Sequence, residues 1–174
     1  SLAFGPDDGG LGIIGTLHFA GLGHLNQAVP GYTGAHGLTI PPVVFIIFQM
    51  MFAIITPALL TGSGADRMKF GAFLAFIVAW SVLVYAPITH WVFSPEGWLA
   101  RRGTEDFAGG TVVELNAGMA GAALALVAGR RRGWPNSLMR PHNIPLTVLG
   151  GGILWFGWFG FNAGSALEAN GSAG

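Results

Sequence analysis

Charged side chains and cysteine are what this sequence of 174 residues has least of. Asp, Glu, Lys and Arg make up 9% of it, against roughly 25% in an ordinary soluble domain. The formal net charge is zero, and no basic stretch with interleaved aromatic residues is present, which argues against a nucleic-acid partner. The absence of cysteine excludes a disulfide framework and a thiolate metal site. We therefore expect no cofactor, no metal and no nucleic acid.

Sequence signatures of common enzyme sites are also missing. The chain has no Gly-Lys-Ser/Thr phosphate loop, no His-Glu-x-x-His helix and no paired cysteines. It starts at Ser1 and stops abruptly at Gly174. We therefore expect a protein that is not an enzyme, and a piece of a longer chain with residues 168–174 as a truncated external end.

Long apolar runs dominate what is present, since 52% of the residues are hydrophobic. Each of four runs is long enough to cross a hydrocarbon core of about 30 Å at about 1.5 Å per helical residue. These runs are residues 40–61, 70–93, 107–129 and 144–167. They predict an all-α, polytopic transmembrane helical bundle. Residues 1–39 form a predicted external loop, and its unusual length suggests that it folds back over the external mouth.

The position of the basic residues predicts the orientation. Six of the eight Lys and Arg residues lie on two connectors, 62–69 and 130–143. Two spans separate these connectors, so they lie on one side, which the positive-inside rule makes cytoplasmic. The sequence therefore predicts a multi-pass protein of the cytoplasmic membrane.

Three polar residues in or beside the spans are candidates for chemistry. A carboxylate inside a bilayer is costly, so Glu114 suggests a proton-accepting or cation-attracting group on a permeation path. The alternative is a protonated acid that is hydrogen-bonded to a neighbouring helix. Asp106 precedes the third run, where an aspartate caps free backbone N–H groups and can also attract cations. Gln49 should face the bundle interior.

Rings and glycines alternate in the fourth run over residues 157–165, which includes Trp158 and Phe161 and ends at Ser165. A packed core rarely has this alternation. Phe52 and Phe48 lie four residues apart, hence on one face of the first span. We expect these rings to meet across the bundle.

With these residues in view, the chain resembles the ammonium transporter (Amt/Mep/Rh) family. Four stretches carry the resemblance: FQMMFAIITPAL at 48–59, DFAGGTVVELNA at 106–117, RPHNIPLTVLG at 140–150 and LWFGWFGFNAGSAL at 154–167. The resemblance extends over essentially the whole chain. It covers less than half of a family member, corresponding to the third through sixth spans.

The resemblance implies a homotrimer with one ammonium-conducting pore per subunit. Phe52 and Phe161 match the two stacked phenylalanines of the gate, and Ser165 matches the serine that hydrogen-bonds the ion at the recruitment site. The remaining matches are Asp106, with a structural and electrostatic role, and Gln49 and Trp158, on the vestibule and pore wall. A PII-type regulator would be expected on the cytoplasmic side.

Two positions depart from the family pattern. Family members commonly have a tryptophan three residues after the histidine that corresponds to His90, but this chain has Phe93, whose ring attracts cations more weakly than indole. Either external affinity is lower, or Trp91 or Trp98 substitutes at the binding site. Glu114 falls where most members place the first of two pore histidines, although some, including fungal ones, have glutamate there.

These observations predict transport of ammonium or ammonia, recruited around Phe52, Phe93 and Ser165. The competing hypothesis is an ammonium-sensing receptor domain of the same fold, fused to a signalling module. A third alternative is that these helices serve only as structural packing in an unrelated membrane enzyme. In that case the aromatic-glycine stretch and Glu114 would match the family by coincidence.

Overall fold

The computed structural model describes residues 2–29, 31–32 and 37–174, so the part of the predicted loop at residues 1, 30 and 33–36 lies outside the described residues. Four helices in this part are long and apolar enough to cross a membrane, with mean hydropathies of 1.5 to 2.4. They are Pro42–Gly64, Phe70–Phe93, Gly110–Ala128 and Ile144–Gly164, here called the first to fourth spans. The predicted all-α transmembrane architecture is confirmed.

The span boundaries differ from the predicted ones by a few residues, for local reasons. The first span begins at Pro42, where the fixed φ of proline suits a helix start. The third span begins at Gly110 and not at residue 107, because residues 106–109 form a turn in which Gly109 has a φ of +103°. Gly129, with a φ of +74°, ends this span. The fourth span ends at Gly164, three residues before the predicted limit.

Two π-helical turns interrupt the α-helical spans, and the sequence analysis missed both. The first, Ser81–Tyr85, comes just before Pro87 in the second span. Proline has no N–H to donate to the carbonyl four residues earlier, so local widening accommodates it. The second, Gly110–Leu115, opens the third span and contains Glu114. Such turns are frequent at functional sites.

Packing is uneven among the four spans. The first three form a common core, whose fully or nearly buried members are Phe52, Leu60, Trp80, Tyr85, Val92, Val112, Val113 and Leu124. The fourth span has no buried residue. It reaches this core through Phe161 near its end. The tightest packing is therefore provided by the first three spans.

The bundle has two ends with different chemistry. The end formed by Pro42, Phe93, Gly110 and Gly164 is here called the aromatic end, because it holds a cluster of phenylalanine rings. The opposite end, formed by Gly64, Phe70, Ala128 and Ile144, is called the basic end. There the Nη2 of Arg131 donates a hydrogen bond to the Gly62 carbonyl oxygen, at 2.9 Å.

The segment that precedes the first span is tied to the aromatic end through a buried histidine. His90, fully buried on the second span, donates from Nδ1 to the Ala3 carbonyl oxygen at 2.8 Å. Its Nε2 lies 3.3 Å from Oδ1 of Asp7, whose Oδ2 accepts from the Gly12 N–H at 2.8 Å. The segment therefore folds back over the ends of the spans, as its length predicts.

Candidate functional site

A cavity of about 200 Å³ lies at the aromatic end, where all four spans contribute to its wall or flank it. Its lining residues are Tyr32, Phe48, Gln49, Phe52, Val92, Phe93, Asp106, Phe107, Ser165 and Leu167. Pockets for drug-sized ligands usually measure about 300 to 1,000 Å³. The size of this cavity therefore favours a small ion or molecule. Six residues singled out from the sequence meet here, namely Phe48, Gln49, Phe52, Phe93, Asp106 and Ser165.

The aromatic rings of the site form a continuous contact group around Phe52, whose side chain is buried. The Phe52 and Phe161 ring centroids are 4.2 Å apart with an interplanar angle of 35°. Phe93 meets Phe52 edge to face at 5.5 Å, and Phe48 does so at 5.1 Å. Rings at these separations are in contact, so a solute crossing between Phe52 and Phe161 requires ring rotation.

Ser165 and Gln49 line this cavity, and each side chain carries an oxygen that can accept a hydrogen bond. The Ser165 hydroxyl donates to the Phe161 carbonyl oxygen at 2.9 Å, which commits its proton and leaves lone pairs on the oxygen. The Oε1 of Gln49 is buried and, within the described part of the chain, has no hydrogen-bond partner. A ligand rich in N–H donors matches this arrangement.

Asp106 combines a structural role with a local negative charge. Its Oδ1 accepts from the Gly109 N–H at 2.6 Å, and its Oδ2 accepts from the Thr111 and Val112 N–H groups at 2.8 and 3.1 Å. The predicted capping role is therefore seen directly. Among the described residues no cationic side chain forms an ion pair with it, so its charge is free to attract cations to the cavity.

Tyr32 is a cavity residue that the sequence analysis missed. Its hydroxyl donates to the Phe93 carbonyl oxygen at 2.9 Å, and its ring lies 5.2 Å from that of Phe45. Burial raises the pKa of Tyr32 to about 12, so the phenol stays neutral and able to donate at physiological pH. The glycine-rich segment around it has no periodic pattern. An isolated ring in such a segment was the only available signal.

Glu114 lies apart from this cavity. It lines an open groove of about 470 Å³ between the first and third spans, with Leu59, Ser63, Gly118 and Gly121 among its neighbours. Its side chain is exposed in this chain. The groove lies farther toward the basic end than Phe52, since its first-span residues come at least seven positions later. The structure therefore places Glu114 beyond the ring pair.

The indoles near the site are not in the cavity. Trp91 donates from its Nε1 to the Ile13 carbonyl oxygen at 2.6 Å, and its ring meets the edge of Trp98 at 5.9 Å. The Arg102 guanidinium carbon lies 5.2 Å from the Trp98 ring centroid. Trp158 stacks on Phe161 at 4.9 Å but lines a separate cleft. Phe93 occupies the place beside Phe52.

The fold and this site define a class: a polytopic helical membrane protein with a small, acceptor-lined aromatic cavity at one end of its spans. The family follows from comparison with known proteins. The model of the Ammonium Transporter Family matches residues 1–174. The chain belongs to this family.

Individual relatives agree with this assignment. An ammonium transporter of Bacillus subtilis is 49% identical over 173 residues, which are 99% of this chain and 40% of that protein. One of Mycobacterium bovis is 56% identical over 144 residues, covering 78% and 30%. The crystal structure of Saccharomyces cerevisiae Mep2 superposes with a TM-score of 0.83 and 38% identity, covering 97% of this chain and 37% of that one. The chain thus spans about 30 to 40% of these relatives.

Proposed function

We propose that the full-length protein carrying this chain moves ammonium or ammonia across the cytoplasmic membrane, along a path that begins at the aromatic-end cavity. The observation that carries the proposal is the shared lining of that cavity, in which Ser165, Gln49 and Asp106 bring acceptor oxygens together with the Phe52 and Phe93 rings. Ammonium presents four N–H donors and no acceptor, so it complements these oxygens. Its size also suits a cavity of about 200 Å³.

Recruitment of the ion uses rings and oxygens together. The faces of Phe52 and Phe93 attract a cation through their π electrons, and Ser165 accepts a hydrogen bond from it. The uncompensated carboxylate of Asp106 lies in the same wall and raises the local cation concentration without direct ligation. The contacts replace part of the hydration shell of the ion, and this lowers the cost of its entry into an apolar path.

Passage beyond the cavity requires the Phe52 and Phe161 rings to part. The two ring centroids are only 4.2 Å apart, so this ring pair acts as a gate that excludes hydrated ions. Glu114, on the basic-end side of the gate, exchanges a proton with the passing species. Its place in a π-helical turn supports this role, since such turns frequently mark functional sites.

The orientation and assembly belong to the same proposal. The connectors 62–69 and 130–143 face the cytoplasm, as their arginines indicate under the positive-inside rule. The full-length protein forms a homotrimer in the cell membrane, with one path per subunit, and meets a PII-type regulator on the cytoplasmic side. The relatives named above are described as ammonium transporters or Mep2, so transport is proposed in preference to sensing.

Ammonium uptake by the full-length protein tests the path. We expect Glu114→Ala to lower the uptake rate by about a hundredfold, the lower end of what a positioned proton-transferring group contributes, and Phe161→Ala to alter the rate because one ring of the gate is lost. Phe156→Ala, in the same span, and Glu105→Ala, outside the cavity wall, serve as matched controls. Immunoblots of purified membranes establish equal abundance. Normal uptake by both test variants at equal abundance would show that the path lies elsewhere.

A further inference from the structure

Tyr32 belongs to the segment that precedes the first span, and among the described residues it is the only one of that segment that lines the aromatic-end cavity. It shares the lining with Phe52 and Phe93. We propose that Tyr32 is a positioning residue of the ammonium site: its hydroxyl fixes the end of the second span, so that the Phe93 ring stays in place to bind the cation. This inference rests on the proposed function and makes the affinity for ammonium depend on a residue outside the spans.

The Tyr32 hydroxyl caps the end of a helix. The last four carbonyl groups of a helix have no partner within it. After the second span, Ser94 is extended, and its N–H donates to the His90 carbonyl oxygen at 3.3 Å. The carbonyl oxygen of Phe93, the last residue of the span, accepts from the Tyr32 hydroxyl at 2.9 Å. Both partners belong to this chain, so the bond does not require any further span of the full-length protein.

A phenylalanine at position 93 depends on a fixed backbone, because its ring has no polar atom. A tryptophan would have an N–H donor of its own with which to orient its ring. The Phe93 ring is oriented by packing, edge to face against Phe52 with the centroids 5.5 Å apart. Movement of its backbone would therefore carry the ring away from Phe52 and reduce the aromatic surface that attracts the cation.

The Tyr32 side chain is itself held beside the bundle. Its ring centroid lies 5.2 Å from that of Phe45, which is fully buried on the first span. Burial raises the pKa of Tyr32 to about 12, so at physiological pH the hydroxyl keeps the proton that it donates to Phe93. Tyr32 thus bridges the first span, through Phe45, and the second span, through Phe93.

The test is the concentration dependence of ammonium uptake by the full-length protein in proteoliposomes. Tyr32→Phe removes the hydroxyl and keeps the ring. Gln27→Leu is the matched control, because Oε1 of Gln27 pairs with Nε2 of His18 at the same distance, 2.9 Å, in the same segment but outside the cavity lining. Ser165→Ala probes the cavity itself. Thermal unfolding in detergent verifies that each variant folds.

We expect Tyr32→Phe to raise the KM for ammonium by about threefold to tenfold, the range that the loss of one neutral hydrogen bond gives, and to leave the maximal rate within about twofold of wild type. Ser165→Ala should also raise KM. Gln27→Leu should change neither parameter.

A merely structural role of Tyr32 would lower the maximal rate, through a smaller number of working molecules, and leave KM unchanged. That result would overturn the inference, as would equal effects of Tyr32→Phe and Gln27→Leu. If Ser165→Ala raises KM and Tyr32→Phe does not, the inference fails and the proposed function stands. If neither variant changes KM, the cavity does not recruit ammonium, and both fail together.

Discussion

The two ends of the bundle are built on different plans. At the aromatic end, side chains from distant parts of the chain are joined by buried hydrogen bonds, as in the contact of His90 with Ala3. At the basic end the connectors are held by few contacts, such as that of Arg131 with Gly62, and most of their side chains are exposed. The small cavity with its oriented acceptors occurs at the first end, and an open cavity lined by three arginines at the second.

This difference relates the local order of each end to what that end can recognise. A small cation can be recognised only if oxygens and ring faces are fixed within a few tenths of an ångström. The residues that cap the third and fourth spans differ in the same way between the two ends. Asp106 starts the third span with three backbone hydrogen bonds, whereas Asn143 starts the fourth span with one.

The largest expected effect is that of Asp106→Ala. The substitution leaves the N–H groups of Gly109, Thr111 and Val112 without their carboxylate partner, and charge-assisted hydrogen bonds of this kind contribute about 1.5 to 3 kcal/mol each. We expect the free energy of local opening at these amides to fall by about 3 kcal/mol or more, and ammonium uptake to be lost. Hydrogen exchange monitored by mass spectrometry measures the opening.

Glu105→Ala is the matched control for this prediction. Glu105 is the neighbouring acid, it is exposed, and in the described part of the chain its carboxylate holds no hydrogen bond. Exchange at the three amides should stay at the wild-type rate in this variant. If both variants accelerate exchange equally, the net charge and not the cap stabilises the turn.

The next largest effect is expected for Asp7→Ala, which removes the contact between the segment that precedes the first span and His90 on the second span. The Asp7 side chain is 5% exposed and lies against His90 and the Gly12 N–H. Its removal leaves these buried groups unsatisfied, at a cost of about 1 to 3 kcal/mol. We expect faster hydrogen exchange across residues 3–15.

Asp8→Ala provides the comparison, since Asp8 is exposed and contributes a backbone bond to Ile14 that the substitution keeps. Unchanged exchange in Asp7→Ala would mean that the segment is held by its rings and not by the buried carboxylate. Proteolysis of the same segment gives an independent readout.

The spans were predictable to within about three residues, because the length and the apolar character of each run can be read directly from the sequence. The π-helical turn at Ser81–Tyr85 was not predictable in this way. Uniformly apolar segments carry no periodic signal that separates one helical hydrogen-bond pattern from another. The turn at residues 106–109, which moves the start of the third span from residue 107 to Gly110, was not predictable either. It depends on three backbone N–H groups that donate hydrogen bonds to the Asp106 carboxylate.

The candidate site was predictable where its residues lie on spans, and poorly so elsewhere. Phe52, Phe93 and Ser165 were identified from spacing and family resemblance, and they line one cavity. Trp91 and Phe93 could not be ranked from the sequence, because the hydrogen bond from Trp91 to the Ile13 carbonyl oxygen, which holds this indole away from the cavity, joins residues 78 positions apart. Tyr32 bonds to a residue 61 positions away, and nothing local indicates such a contact.

The smallest effect is expected at the basic end, for Asn143→Ala. The Oδ1 of Asn143 accepts from the Leu146 N–H at 2.9 Å, the position that a helix cap occupies. The bond is exposed, so water replaces the lost acceptor, and we expect a loss of about 1 kcal/mol or less in local opening. The Thr147 hydroxyl still donates to the backbone carbonyl oxygen of residue 143. Asn143→Asp, which keeps the acceptor, should exchange at the wild-type rate. An Asn143→Ala effect as large as that of Asp106→Ala would mean that the two ends are equally ordered, and the contrast between them would fail.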